Sequence, residues 1–266
     1  MVPPAPPPST PTLHGLLLLA ATGLAPAQQP ATKAREIPDS EAKLLLAEFK
    51  TEMGANTKNL AKRLAAVQKL EQVQNAMLVA PLLSTVRTDK SKVVRQAAAK
   101  ALGRQPRKKA RPALISLIKK TKVSADPNLL ASAIQALGES CYQPRDWALL
   151  QSIFDKSITD NNAVNLQSAI LDLAGTSKEI DAVDFLIEHL DAPAPEWVDD
   201  PNNPPESYWK ARWANWSKWK GRVKEALFQI TGQKFGSKKE AKLWVQKNRK
   251  TLRRESRSSG KDKRKK

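Results

Sequence analysis

Between Asp89 and Gly103 the apolar residues fall at Val94, Ala97, Ala98, Ala101 and Leu102. Spacings of i, i+3, i+4, i+7 and i+8 put them on one face of an α-helix. Small side chains on that face let a second helix come close, and Gly103 reads as the helix stop. The pattern recurs. Leu102-Gly103 returns as Leu137-Gly138 at a shift of 35, and Ala133–Leu137 returns as Ala169–Leu173 at a shift of 36. Each stripe is followed by a second: Leu114, Leu117 and Ile118; then Trp147, Leu150 and Phe154; then Val183, Leu186, Ile187 and Leu190. A fainter copy precedes them, with Leu60, Leu64 and Val67 followed by Pro81, Leu83 and Val86. A helix pair repeating at this period cannot bury its apolar face alone and must stack on its neighbours. The pattern therefore predicts an all-α fold, an α-solenoid of about four to five helix pairs.

The residues Asp89, Val94, Arg95, Ala98, Ala101, Leu102 and Gly103 fit the pattern D-x-x-x-x-VR-x-x-A-x-x-A-LG. In this the chain resembles HEAT-repeat proteins of the short bacterial, phycobilisome-lyase-like kind. The resemblance implies a superhelix and, often, a ladder of Asp–Arg pairs linking successive repeats. No Arg follows Leu129-Leu130 or Val164, so the later repeats depart from that ladder. Near the other end, Ile230-Thr231-Gly232 and Phe235-Gly236, followed by Glu240 to Trp244, resemble the closing motif of secreted bacterial HEAT-repeat proteins. That likeness implies a structural end-piece and no catalytic residue. Lys242 stands where the motif carries an aromatic, which predicts looser docking of the last helix.

Local signals place the element ends. Asp39 after Pro38 predicts a cap for a helix carrying Leu45, Leu46, Phe49 and Met53. Asp126 precedes a Pro at the first helical position, and Thr176-Ser177-Lys178-Glu179 reads as a capping box. Ser237 with Glu240 reads as another, and Gly232 as a helix end. The segment Asp191–Ser207 carries five prolines, which forbid helix, and concentrates acids in a basic protein. It predicts an extended loop that packs Trp197 on the solenoid or offers it to a partner. A calcium site on Asp199, Asp200 and Asn202 lacks the glycine and the terminal acid that an EF-hand loop needs.

After the loop, Trp209, Trp213, Trp216, Val223, Leu227 and Ile230 fall on one face of a helix from about Glu206 to Thr231. Those aromatics either cover the open end of the solenoid or stack on a ligand. Trp219, beside that axis, is the aromatic predicted to be exposed.

Two segments flank the solenoid. Residues 1–27 read as a signal peptide: Leu13–Leu24 is an apolar run and Ala25-Pro26-Ala27 an A-x-A cleavage site, although no Lys or Arg precedes them. Residues 28–38 read as a polar linker. No later run approaches the 18 apolar residues of a membrane span. The signal predicts export to a periplasmic or extracellular space. The other segment is the tail, expected to lose order after about Leu252. From Lys247 to Lys266 it holds eleven basic residues against Glu255 and Asp262. Arg253, Arg254, Arg257, Lys263, Arg264, Lys265 and Lys266 would attract an anionic surface or polymer.

A net charge of +19 on 266 residues suggests an anionic partner, or simply a repulsive, solvated surface. The single cysteine, Cys141, rules out an internal disulfide and reads as a packed thiol. The two histidines, His14 and His189, cannot build a multi-histidine metal site, and His189 reads as a helix-end imidazole in reach of solvent. No phosphate-binding loop, dinucleotide fingerprint, C-x-x-C or nucleophile elbow occurs, and no cofactor is implied.

The expectation is a non-enzymatic, exported scaffold that binds a protein or peptide. Its candidate contact residues are Trp197, Trp219, Lys108, Lys109, Lys119 and Lys120. The alternative is a cytoplasmic nucleic-acid-binding solenoid, for which those lysines, with Arg111 and Lys122, should converge with Trp219 on one concave surface. A third reading gives the acidic Pro-rich loop a catalytic or carbohydrate-binding role.

Overall fold

The structure, a computed structural model, describes residues 34–195 and 197–262, with side chains up to Leu252. The leader therefore lies outside the described residues, as do Glu196 and Lys263, Arg264, Lys265 and Lys266. Among the described residues eleven α-helices form two rows. The first row holds α2 (Leu60–Glu71), α4 (Lys92–Gly103), α6 (Pro127–Ser140), α8 (Val164–Thr176) and α10 (Glu206–Thr231), each packed on the one before it. The second row holds α1 (Asp39–Ala55), α3 (Val79–Thr88), α5 (Arg107–Lys120), α7 (Trp147–Ser157), α9 (Val183–Glu188) and α11 (Lys238–Asp262). One elongated core runs between the rows, so each repeat is buried by its neighbours, as a solenoid requires.

The stripes read from sequence line this core. Val94, Ala98, Ala101, Leu102, Leu114, Leu150, Phe154 and Leu186 are all fully buried. The faint first repeat is shifted. Its buried residues on the second row are Leu78, Leu82 and Val86 rather than Pro81 and Leu83, and Leu60 is exposed. A short 3-10 turn at Ala76–Leu78 feeds α3 and rotates its apolar face by one position.

The glycines that close α4, α6 and α8 serve approach rather than termination. None of Gly103, Gly138 and Gly175 has a positive φ. A Cβ on Gly103 would sit 2.8–2.9 Å from the Cβ, Cα and O of Ala136 on α6, and one on Gly175 would sit 2.9 Å from Ala226 Cα on α10. The repeated glycine thus sets how closely consecutive first-row helices cross. Gly232 alone acts as the expected left-handed stop, with φ of 71° and its N–H on the Phe228 carbonyl at 2.7 Å.

Side chains stitch each repeat to the next. Arg63 on α2 places Nη1 2.5 and 2.6 Å from the two oxygens of Asp89, and Arg95 on α4 reaches Asp126 at 2.8 Å. Those are the two rungs of the Asp–Arg ladder, and it stops where Arg is missing from α6. Arg111 pairs with Asp146 in the outer layer. Gln105, fully buried, donates to the carbonyls of Leu70 and Val73 and accepts from Asn75 N. The Tyr142 hydroxyl donates to Glu179 at 2.6 Å. Breaking one partner of such a buried pair leaves the other desolvated and unpaired.

Several local expectations need correction. Asp39 does not cap α1; its carboxylate accepts from Asn75 Nδ2 at 2.9 Å, because the α2–α3 turn lies against it. That turn also pairs Val73-Gln74 with Arg35-Glu36 as two short parallel strands that no alternation announced. The Thr176–Glu179 capping box does not form. Thr176 and Ser177 turn their hydroxyls back to carbonyls of α8, Lys178 takes φ of 52°, and Glu179 caps the following 3-10 turn instead. The cap at Asp126 forms as read; at Ser237 half of the box forms, the hydroxyl accepting from Glu240 N while the Glu240 carboxylate accepts from Gly236 N rather than Ser237 N. Cys141 is buried, and that burial pushes its thiol pKa up. The α11 backbone continues helical to Asp262, past Leu252, since Arg, Lys, Glu and Ser propagate a helix already nucleated. Leu252 is nonetheless the last buried side chain described. Lys242 does not loosen that helix: it and Lys238 both pair with Glu188 on α9, and Arg249 reaches Asp184 at 2.6 Å.

Candidate partner-binding surface

The helix α10 has 26 residues where its neighbour α8 has 13. At 1.5 Å per residue it is about 20 Å longer, so its two halves meet different surroundings. The C-terminal half is core: Trp219, Val223, Ala226, Leu227 and Ile230 are buried. Arg222 clamps that half to Asp172 of α8 at 2.5 Å. The N-terminal half overhangs. Among the described residues Asn215 donates to the Ile158 carbonyl at 3.1 Å and the Trp216 indole to the His189 carbonyl at 3.0 Å, while Trp209 is half-buried with its Nε1 enclosed.

What the overhang presents is aromatic and basic. Trp213 is 54% exposed. Its ring centroid lies 6.5 Å from that of Trp216, and Lys220 Nζ sits 4.8 Å above the Trp216 ring. One turn back, Trp209 packs edge-on against Tyr208 at 5.2 Å, and the Arg212 guanidinium lies 5.7 Å from the Trp209 centroid. The exposed Trp213 is thus framed by two half-buried indoles, Trp209 and Trp216, each with a cation over its face. The Pro-rich loop precedes it. Trp197 does not pack on the solenoid: it is 73% exposed and Val198 80%. Asn203 holds both from behind, donating to their carbonyls at 2.6 and 3.2 Å. Asp200 spends its carboxylate on Asn202 N and Nδ2 within the same loop.

Trp219 is the clearest correction. It is 1% exposed, in a cluster with Phe154 (centroids 5.3 Å apart) and His189 (5.8 Å), which Phe185 and Trp147 extend. The axis drawn through the tryptophans assumed one environment for the whole helix, and the burial direction turns where α8 ends. The lysines do not converge either. Lys108 and Lys109 open α5, and Lys119 and Lys120 close it about 16 Å away; all are exposed, and α5 lies in the row opposite α10. Of the tail arginines, Arg253, Arg254 and Arg257 fall on the α11 backbone beyond the described side chains. The spacing of three and four already set Trp209, Trp213 and Trp216 on one face; the structure adds Tyr208 and Arg212 beside them.

His189, expected near solvent, is buried at the base of this surface. Its Nδ1–H donates to the Phe185 carbonyl at 2.8 Å, which leaves Nε2 an unprotonated nitrogen without a partner. Burial lowers its pKa from 6.5 to about 4; the Phe185 carbonyl and Glu188 oppose that shift, and Arg212 and Lys238 add to it. The unfolded chain then takes up the proton first as pH falls. The neutral His189 contributes fully above pH 6.5, and stability declines between 6.5 and 4, by about 3 kcal/mol in all. Urea midpoints at pH 7.5 and pH 4 should therefore differ less in His189→Phe than in the wild type, a comparison that cancels carboxylates such as Glu188. An equal difference would place the imidazole in contact with water.

No helix among the described residues is long and apolar enough to cross a membrane, and no group of three or more metal-ligating side chains occurs among them. The family model of HEAT repeats matches residues 54–124 and 79–160. No curated protein matches the chain. HEAT repeats commonly serve as protein-interaction scaffolds and are typically non-catalytic. The match to HEAT repeats over residues 54–160 and the helix-pair packing agree on an α-solenoid, and the same two-row packing carries on to α11.

Proposed function

We propose that this protein is a non-enzymatic, exported scaffold that holds a protein or peptide partner on the aromatic and basic overhang of α10. The observation that carries the reading is Trp213, more than half exposed and flanked by Trp209, Arg212 and Trp216. Trp, Tyr and Arg dominate the centres of protein interfaces, where a few such side chains supply most of the affinity. The exposed Trp197 and Val198 extend the apolar area from the neighbouring loop. The basic tail and the net charge of +19 add long-range attraction and favour a partner with an acidic face. Export rests on the Leu13–Leu24 run and the Ala25-Pro26-Ala27 site.

Photo-crosslinking from position 213 in the native host tests this. A discrete protein adduct is expected from that position and not from position 119, and Arg212→Ala with Trp209→Ala should reduce it at least tenfold with thermal stability retained. Crosslinks to nucleic acid, with binding that falls linearly in log salt, would replace the protein reading by the nucleic-acid one. Intact mass of the mature chain addresses export: a start at Gln28 supports it, and a start at Met1 or Val2 removes it.

A further inference from the structure

At the opposite end of the solenoid the two rows part. α1 leans on α2, α3 leans on α4, and a cleft of about 580 Å³ opens between α1 and α3 above the α2–α4 seam. Its volume is that of a small-molecule site rather than of a surface dimple. Phe49 and Met53 line one wall, and Ala80 and Pro81 the other. Phe49 also belongs to the core, whereas Pro81 is the position of the first repeat that the shift of α3 leaves outside it.

The charged groups of the cleft are Lys50, Arg63 and Lys90 against one carboxylate, Asp89. At its base lies Arg63, 91% buried, with Nη1 on both oxygens of Asp89. That pair is neutral in itself, yet its guanidinium keeps donors in hand: Nε is buried without a hydrogen-bond partner among the described residues. At the rim stand Lys50 and Lys90, both exposed and neither in an ion pair among the described residues. Thr57 and Ser84 also line the cleft, whereas Thr85 and Thr88 spend their hydroxyls on the carbonyls of Pro81 and Ser84. An apolar trough with two unpaired ammonium groups at its mouth suits one kind of occupant. We infer that this cleft binds a small amphiphilic carboxylate, its apolar body between α1 and α3 and its head at Lys50 and Lys90. The site is distinct from the α10 surface and stands or falls independently of it.

The probe is decanoate, titrated calorimetrically into the full chain below its micelle-forming concentration, with decanol and decyltrimethylammonium as the neutral and cationic counterparts. One equivalent of decanoate should bind, at least tenfold more tightly than either counterpart. Ala80→Trp, at an exposed wall position that leaves the fold intact by circular dichroism, should weaken it at least tenfold by filling the trough. Lys50→Glu with Lys90→Glu should do the same through charge and should turn the preference toward decyltrimethylammonium. Failure of decanoate to bind the wild type, equal binding of all three probes, or an affinity unchanged by Ala80→Trp would each overturn the assignment.

Discussion

Replacing Trp219 by alanine should lower the unfolding free energy by about 3–5 kcal/mol, the range for deleting a large buried aromatic. The indole is 1% exposed and fills the space between Phe154 and His189. Its loss would open a cavity against α7 and α9 and detach the half of α10 that closes the repeat stack. Trp213→Ala, six residues earlier on the same helix, should change stability by no more than about 0.5 kcal/mol, because its ring is more than half exposed. Urea denaturation followed by circular dichroism separates the two. Comparable losses from both variants would mean that the overhang is packed, and the partner surface on α10 would have to be abandoned.

The glycine spacing leads to the second large effect. Gly103→Ala should destabilise by about 2–3 kcal/mol, in spite of the roughly 0.5–1 kcal/mol that alanine ordinarily adds to a helix. The new methyl group would meet the Ala136 Cα and carbonyl oxygen at 2.9 Å, and backbone cannot swing away. Gly138→Ala offers the contrast. There the methyl group meets only the Leu173 side chain, at 3.2–3.3 Å, which can turn to a neighbouring rotamer. That substitution should stay within about 1 kcal/mol of neutral. Equal costs at the two sites would show that first-row spacing is not set by the glycines.

The repeat architecture was legible because burial repeats with it. Leu114, Leu150 and Leu186 recur at the 36-residue repeat, and each lands in the core. The bounds of α10 were equally legible, since prolines precede it and Gly232 follows. Side-chain pairing between repeats was only half legible. Arg95 and Asp126 stand at pattern positions, whereas Arg63 reaches Asp89 from a position that the pattern does not mark. The Thr176 and Asp39 caps were misread for one reason: a short polar side chain bonds the group that the neighbouring turn brings nearest, a carbonyl of α8 for Thr176 and the Asn75 side-chain amide for Asp39.

The sequence by itself determined that the chain is a stack of helix pairs, because periodic burial is written in residue spacing and needs no partner to be read. It determined as well where glycine recurs and where the excess positive charge lies. Only the tertiary structure decided which tryptophan is core and which is surface. A stripe fixes the angular face of a helix, but exposure along that face depends on where the adjacent helix ends. Here α8 ends halfway along α10, so Trp219 is enclosed, Trp213 is not, and the surface that could hold a partner exists at that boundary.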